Sequence, residues 1–204
     1  MPKISDEKRA ARRAQILEAA WICFRKDGLH AATMGDIIRA SGLSSGAVYS
    51  YYSSKDELIL AAVTASLSGI RDLIILVARR EPALSPAEMV RQIAETVDQF
   101  TTRKGYDLKR LALLGWSEAQ HNEILHERMR GFYLGFRAEL ADAMRRWDEA
   151  SGEAAASFEA QAAKRQLSLV LGYVVQAAIL GDVTPDDLAV DLMERQCHTA
   201  ECAR

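Results

Sequence analysis

Between residues 44 and 55 the chain reads SSGAVYSYYSSK, a run of small and hydroxylated side chains closed by a lysine. Ser44, Ser45, Tyr49, Ser50 and Tyr51 offer hydroxyls, Gly46 and Ala47 add no bulk, and Lys55 brings a positive charge. Such a surface enters a nucleic-acid groove without steric resistance, and hydroxyls together with helix-end amides suit phosphate oxygens. No Arg, Asn or Gln lies between Ser44 and Tyr51. The bidentate pairings that read guanine and adenine are therefore missing from this stretch. Sequence preference is expected instead from hydroxyls, from Ala47 against a thymine methyl, from water and from duplex shape. A basic amino-terminal arm of Lys3, Lys8, Arg9, Arg12 and Arg13 stands ready to assist.

Other chemistry finds no constellation. His121 and His126 flank Glu123, but the zinc-protease helix needs histidines four apart with Glu directly after the first. Here they are five apart and face different ways. Cys197-His198 and Cys202 carry no metal-ligand spacing, and three cysteines in all argue against a secreted disulfide scaffold. With no phosphate-cradling glycine loop and no nucleophile elbow, the expectation is a protein that is not an enzyme and uses neither cofactor nor metal. Charge points the same way as the hydroxyl run. The net is −2, yet nine basic against five acidic side chains up to Lys55 give that end a local +4, the part tilted toward an anionic partner. The opening MPKISDEKRAARR has no apolar stretch behind it, and the longest uncharged run, Gln166 to Gly181, is 16 residues. A bilayer span needs about 20, so no membrane association and a cytoplasmic location are expected.

The elements that must position the hydroxyl run are short helices. Residues 33–40 and 44–51 meet at Ser41-Gly42-Leu43, where glycine permits the left-handed backbone of a tight corner. Helices below about 12 residues are marginal alone, so these lean on a first helix through Ile37, Ile38, Leu43 and Val48. A helix-turn-helix follows. The rest of the chain is equally helical: there is no proline between Pro2 and Pro82, and no period-two alternation reads as a strand. Ser85-Pro86-Ala87-Glu88 and Thr184-Pro185-Asp186-Asp187 mark helix starts, as do Thr33–Asp36 and Ser54–Glu57. Gly28, Gly42, Gly105, Gly152 and Gly181 stand where apolar patterns stop. Apolar stripes run through Ile16, Ala20 and Phe24, through Met89, Ile93, Val97 and Phe100, and through Leu125, Met129, Phe132, Phe136, Leu140 and Trp147. The pattern predicts an all-α protein of about nine helices, near 6–27, 33–40, 44–51, 54–79, 86–104, 107–115, 122–149, 157–180 and 185–198.

The stretch from about Arg13 to Val63 resembles the TetR family of bacterial transcriptional regulators. The resemblance is carried by Ile16-Leu17, Ala20 and Phe24, by Gly28, Thr33 and Ile37, and by Ser41-Gly42-Leu43-Ser44 with Gly46. It continues through Val48-Tyr49, Tyr51-Tyr52, Ser54-Lys55 and Leu58. It implies a DNA-binding domain over residues 1–60 and a larger helical domain over 61–204 for ligand binding and dimerisation. Carried over by position, Thr33 caps its helix and touches a phosphate, and Ser44, Ser45, Gly46, Ala47 and Ser50 face base edges or backbone. Tyr49 and Tyr51 clamp phosphates, Lys55 binds another, and Tyr52 takes the place of a buried phenylalanine. Two positions depart from the family pattern: Ile38 stands where a small residue is usual, and Gly35 where many members carry a side chain able to reach a base.

For the remainder, Leu167–Leu180 is apolar nearly all round, either as a central core helix or, as the resemblance suggests, pairing with its symmetry mate beside helix 185–198. Candidate contacts for a small apolar or aromatic effector are Phe100, Tyr106, Trp116, His121, Phe132, Tyr133, Phe136, Tyr173 and Gln176. The expected function is a homodimeric repressor on a palindromic double-stranded DNA operator, released by an effector. The alternative is a helical small-molecule-binding protein that has lost its DNA role.

Overall fold

Ala-, Leu-, Glu- and Arg-rich segments punctuated by caps fold, in the computed structural model, into helices throughout the described residues 5–104, 107–152 and 159–188. In chain order these are α1 (Asp6–Ala31), α2 (Met34–Ser41), α3 (Ser45–Tyr49), α4 (Lys55–Ala78), α5 (Pro86–Lys104), α6 (Leu108–Glu118), α7 (Glu123–Ser151) and α8 (Glu159–Ile179). A 3-10 turn, Pro185–Leu188, follows. No strand occurs among the described residues. The expected helix 185–198 is described only over its first turn, and Tyr106, Gly105, Lys3, Cys197, His198 and Cys202 lie outside the described residues.

Two of the four cap signals are realised with partners other than those the local pattern suggests. Thr33 and Asp36 form the full reciprocal box, each side chain taking the other's amide. Ser54 accepts from the Glu57 amide at 3.1 Å, but the Glu57 carboxylate reaches one residue further back, to the Ser53 amide (2.7 Å) and hydroxyl (2.8 Å). Ser85 caps the Glu88 amide, whereas the Glu88 carboxylate turns to Arg91 and Gln92. Asp187 takes the Thr184 amide and hydroxyl at 2.7 and 2.9 Å. α1 bends at Gly28, whose φ of 81° and ψ of 166° lie outside the helical region altogether. Its role is therefore a break, not a left-handed cap.

The chain divides into two compact units. The first takes the chain up to Gly69 together with Thr101–Met129; the second takes Ile70–Phe100 together with the chain from Arg130 onward. In the first, Ile16, Ala20, Phe24, Ile37, Val48, Tyr52, Leu58 and Leu125 are buried. Gly115 lets Val63 and Met129 approach, a Cβ there lying 3.5 Å from Val63. In the second, Met89, Ile93, Val97 and Phe100 of α5, Phe136 and Leu140 of α7, and Tyr173 of α8 form the core. Trp147 is only half-buried, and Ala143 and Met144 take its place at the core.

Two apolar helices need comment. By length and composition α4 is apolar enough to cross a bilayer, with mean hydropathy 1.8 over its best window. Its Leu58, Ile59, Ala62, Ile70, Ile74 and Ala78 are instead consumed in the protein interior. Among the described residues of α8 only Ala163, Val170, Tyr173 and Val174 are buried, all toward one face. Ile179 and Leu180 at its end remain 67% and 62% exposed, so α8 is not a core helix buried all round.

Candidate nucleic-acid interface

The five-residue α3 cannot persist alone, and its supports are specific. Gln15 of α1 donates to the Ser41 carbonyl at 2.8 Å, fixing the end of α2. The buried Ser41 hydroxyl donates back to the Ile38 carbonyl (2.8 Å) and accepts from the Leu43 amide (3.2 Å). Gly42 turns the corner with φ 67° and ψ 14°, the left-handed conformation glycine adopts without a Cβ clash. Ile37 and Val48 are fully buried, while Ile38 and Leu43 are half-buried, so the first pair holds the corner down. Tyr52 sits in the core with the Arg13 guanidinium 5.5 Å from its ring centre, a cation–π contact.

Outside this scaffold lies the hydroxyl face. Thr33, Ser44, Ser45, Gly46, Tyr49 and Ser50 are exposed, and Ala47, Tyr51 and Lys55 are half-exposed. Some of these groups already have work within the fold. Ser44 caps α3 by accepting from the Ala47 amide (3.3 Å), and the Ser50 hydroxyl donates to the Ala47 carbonyl (2.7 Å). Thr33 donates both its amide (3.1 Å) and its hydroxyl (2.5 Å) to Asp36. Lys55 donates to the His30 carbonyl at 2.8 Å, just past the bend in α1. One of its three N–H bonds is used. The hydroxyls of Ser45, Tyr49 and Tyr51 have no hydrogen-bond partner among the described residues.

Acids near this face are restrained. Hydrogen bonds from the Thr33 hydroxyl and amide, aided by Arg39, hold the Asp36 carboxyl below the usual carboxylate range. The Ser53 amide and hydroxyl do the same for Glu57. Each carboxylate spends its charge on its own helix start, which leaves the lysine and hydroxyls to meet an incoming anion. The expected basic arm is different in kind. From Asp6 onward it is α1 itself; Arg12 is hydrogen-bonded to Gln15 at 2.8 Å and Arg13 lies on Tyr52.

The expected effector contacts scatter. Phe100 and Tyr173 are buried in the second unit, where the Tyr173 hydroxyl donates to Asp98 at 2.6 Å. Burial, together with that bond and the Asp98 charge, raises the Tyr173 pKa. In the first unit Trp116 is half-buried and His121 exposed; in the second, Tyr133 is half-buried and Gln176 exposed. Phe132 and Phe136 do converge, lining a cavity of about 260 Å³ with Arg71, Ile74, Ile75, Gly135 and Glu139. Those five residues escaped the sequence reading. Two signals pointed to them: a glycine inside a long helix, and an Arg71-Asp72 pair in an otherwise uncharged stretch of α4.

A family pattern described as bacterial regulatory proteins of the tetR family matches residues 16–62, and a second, described as the C-terminal part of BetI-type transcriptional repressors, matches residues 86–200. The chain belongs to the TetR family. Its helix-turn-helix head and larger helical remainder are the family's architecture, and the family consists of transcriptional regulators, not enzymes. Among curated relatives, BetI of Burkholderia thailandensis is 31% identical over 163 residues, covering 76% of this chain and 81% of BetI. YfiR of Bacillus subtilis, an uncharacterised regulator, is 40% identical over 73 residues, and a repressor of Mycobacterium tuberculosis is 34% identical over 100. Those two matches span 36% and 50% of the relatives' lengths. Solved TetR-type structures share the fold. Salmonella enterica GusR superposes with a TM-score of 0.69 at 23% identity, covering 95% of this chain and 98% of GusR. FadR of Bacillus subtilis, solved with stearoyl-CoA, gives 0.67 at 15% identity, covering 89% and 95%. The TetR match over residues 16–62 contains the whole hydroxyl face and Lys55. The departure at Gly35 leaves room there: a Cβ would meet only the Thr33 hydroxyl, at 3.6 Å.

Proposed function

We propose that this TetR-family regulator is a repressor that binds a near-palindromic operator as a homodimer and is released by a small apolar or aromatic effector. The observation that carries the reading is the face of Ser45, Tyr49 and half-exposed Tyr51, whose hydroxyls have no partner among the described residues, beside a lysine with donors to spare. Thr33, Ser44, Gly46, Ala47 and Ser50 complete the contact surface, with hydroxyls and Lys55 on phosphates and Ala47 toward a base edge. Residues 1–60 serve as the DNA-binding part and 61–204 as the effector and dimer part. Two-fold symmetry sets the recognition helices about 34 Å apart, one duplex turn.

Support for the dimer comes from Ile179 and Leu180, large apolar side chains left exposed at the end of α8, which suit an isologous surface. A relative known with stearoyl-CoA, FadR, supports small-molecule control in this fold. The effector acts through its differential affinity for two states, typically about 1–3 kcal/mol, with α4 running from Lys55 to the cavity wall as the lever. The cytoplasm is the site of action. A gel shift with DNA upstream of the protein's own gene tests the reading. Binding at low salt that weakens steeply with added salt is expected; no binding by wild type at low salt overturns it.

A further inference from the structure

The cavity between α4 and α7 has a charge balance that selects among ligands. Its two charged wall residues are not equivalent. Glu139 is held by Arg79 in a two-point pair, at 2.7 and 2.9 Å, so its negative charge is already answered. Among the described residues Arg71 pairs only with its neighbour Asp72. Both of its contacts, at 3.3 and 3.4 Å, fall on one oxygen, and the two side chains are 54% and 70% exposed. Such a pair contributes little. The charge left for a ligand is therefore positive, and its guanidinium fork matches a carboxylate.

The rest of the wall is apolar: Ile74 and Ile75 from α4, Phe132 and Phe136 from α7. The two phenylalanine rings lie 6.3 Å apart. Gly135 makes the space. A glycine in mid-helix costs about 1 kcal/mol relative to alanine, and a Cβ at this position would meet nothing within 4 Å. At about 260 Å³ the cavity falls just under the roughly 300–1,000 Å³ of drug-sized pockets. With a water taking about 30 Å³, that is room for one ring and a short chain.

We propose that this cavity binds a small amphipathic carboxylate, its acid on Arg71 and its apolar body against Phe132 and Phe136. The assignment rests on the effector-controlled reading above and names the chemical class of the effector. Calorimetric titration of the full chain with 3-phenylpropanoate, 3-phenylpropanol and 3-phenylpropylamine tests it. Wild type should prefer the acid to the alcohol and amine by about tenfold or more. Arg71→Met should bring acid and alcohol to equal affinity. Gly135→Leu should fill the space and abolish binding of all three, with thermal stability kept or raised. Equal or tighter binding of the amine, or undiminished acid binding by Gly135→Leu, overturns the proposal; should that variant misfold, Arg71→Met still decides it. These titrations need no DNA. Operator binding without acid binding defeats this assignment alone, and acid binding without operator binding defeats the repressor reading alone.

Discussion

Replacing Tyr49 by Phe and Lys55 by Met separates two kinds of DNA contact that the free protein treats very differently. The Tyr49 side chain is 48% exposed and its hydroxyl has no partner among the described residues, so Tyr49→Phe should leave stability within about 0.5 kcal/mol of wild type. On the operator each protomer loses one hydroxyl–phosphate bond. At about 1–1.5 kcal/mol net each, a dimer loses about 2–3 kcal/mol, or roughly 30- to 150-fold in affinity. The lost group is neutral, so the dependence on salt should not change. Lys55→Met also gives up the bond to the His30 carbonyl, at a cost to stability below about 1.5 kcal/mol. Its signature is electrostatic. Two phosphates per dimer go unneutralised, and the log–log slope of affinity against salt should become shallower by about 1.8. Operator titrations by fluorescence anisotropy over a series of KCl concentrations, with urea unfolding alongside, measure all five quantities. An unchanged slope for Lys55→Met would refute the phosphate role of the lysine. A destabilised Tyr49→Phe protein would show the hydroxyl to be part of the scaffold, and one that binds the operator as wild type does would refute its phosphate contact.

Three other outcomes follow from the geometry. Gly42→Ala forces a Cβ into φ 67° and should destabilise the head by about 1–2 kcal/mol in urea unfolding. Tyr173→Phe removes the donor to Asp98 from a side chain 1% exposed, and should cost about 1–3 kcal/mol in the same assay. Bonds from Arg91 and Gln92 bring the Glu88 pKa down from 4.5 to about 2. A depressed carboxyl stabilises above its unfolded pKa, and this contribution drains away as pH falls from about 4.5 to about 2. Glu88→Gln should therefore show a flatter stability profile than wild type across that window; parallel profiles would remove the assigned cause.

Local rules carried the sequence reading as far as they extend. A cap bond spans three residues and an apolar stripe repeats every three or four, so Thr33 with Asp36 and the glycine corner at Gly42 were legible in the chain, while the division of Tyr52 inward from Tyr49 and Tyr51 outward came from the resemblance to the TetR family. The same rules failed where a side chain had a choice of neighbours. Glu88 passed over the reciprocal bond for Arg91 and Gln92, and Glu57 reached Ser53 in preference to Ser54, because a charged or bidentate partner within reach outcompetes a lone amide. Tertiary structure alone decided which carbonyl Lys55 meets, which face of α8 is buried, and that Arg71 and Gly135, 64 positions apart in the chain, border one cavity with Phe132 and Phe136. Periodicity states that a face is apolar. It does not state what lies opposite, since that depends on where helices distant in sequence come to rest.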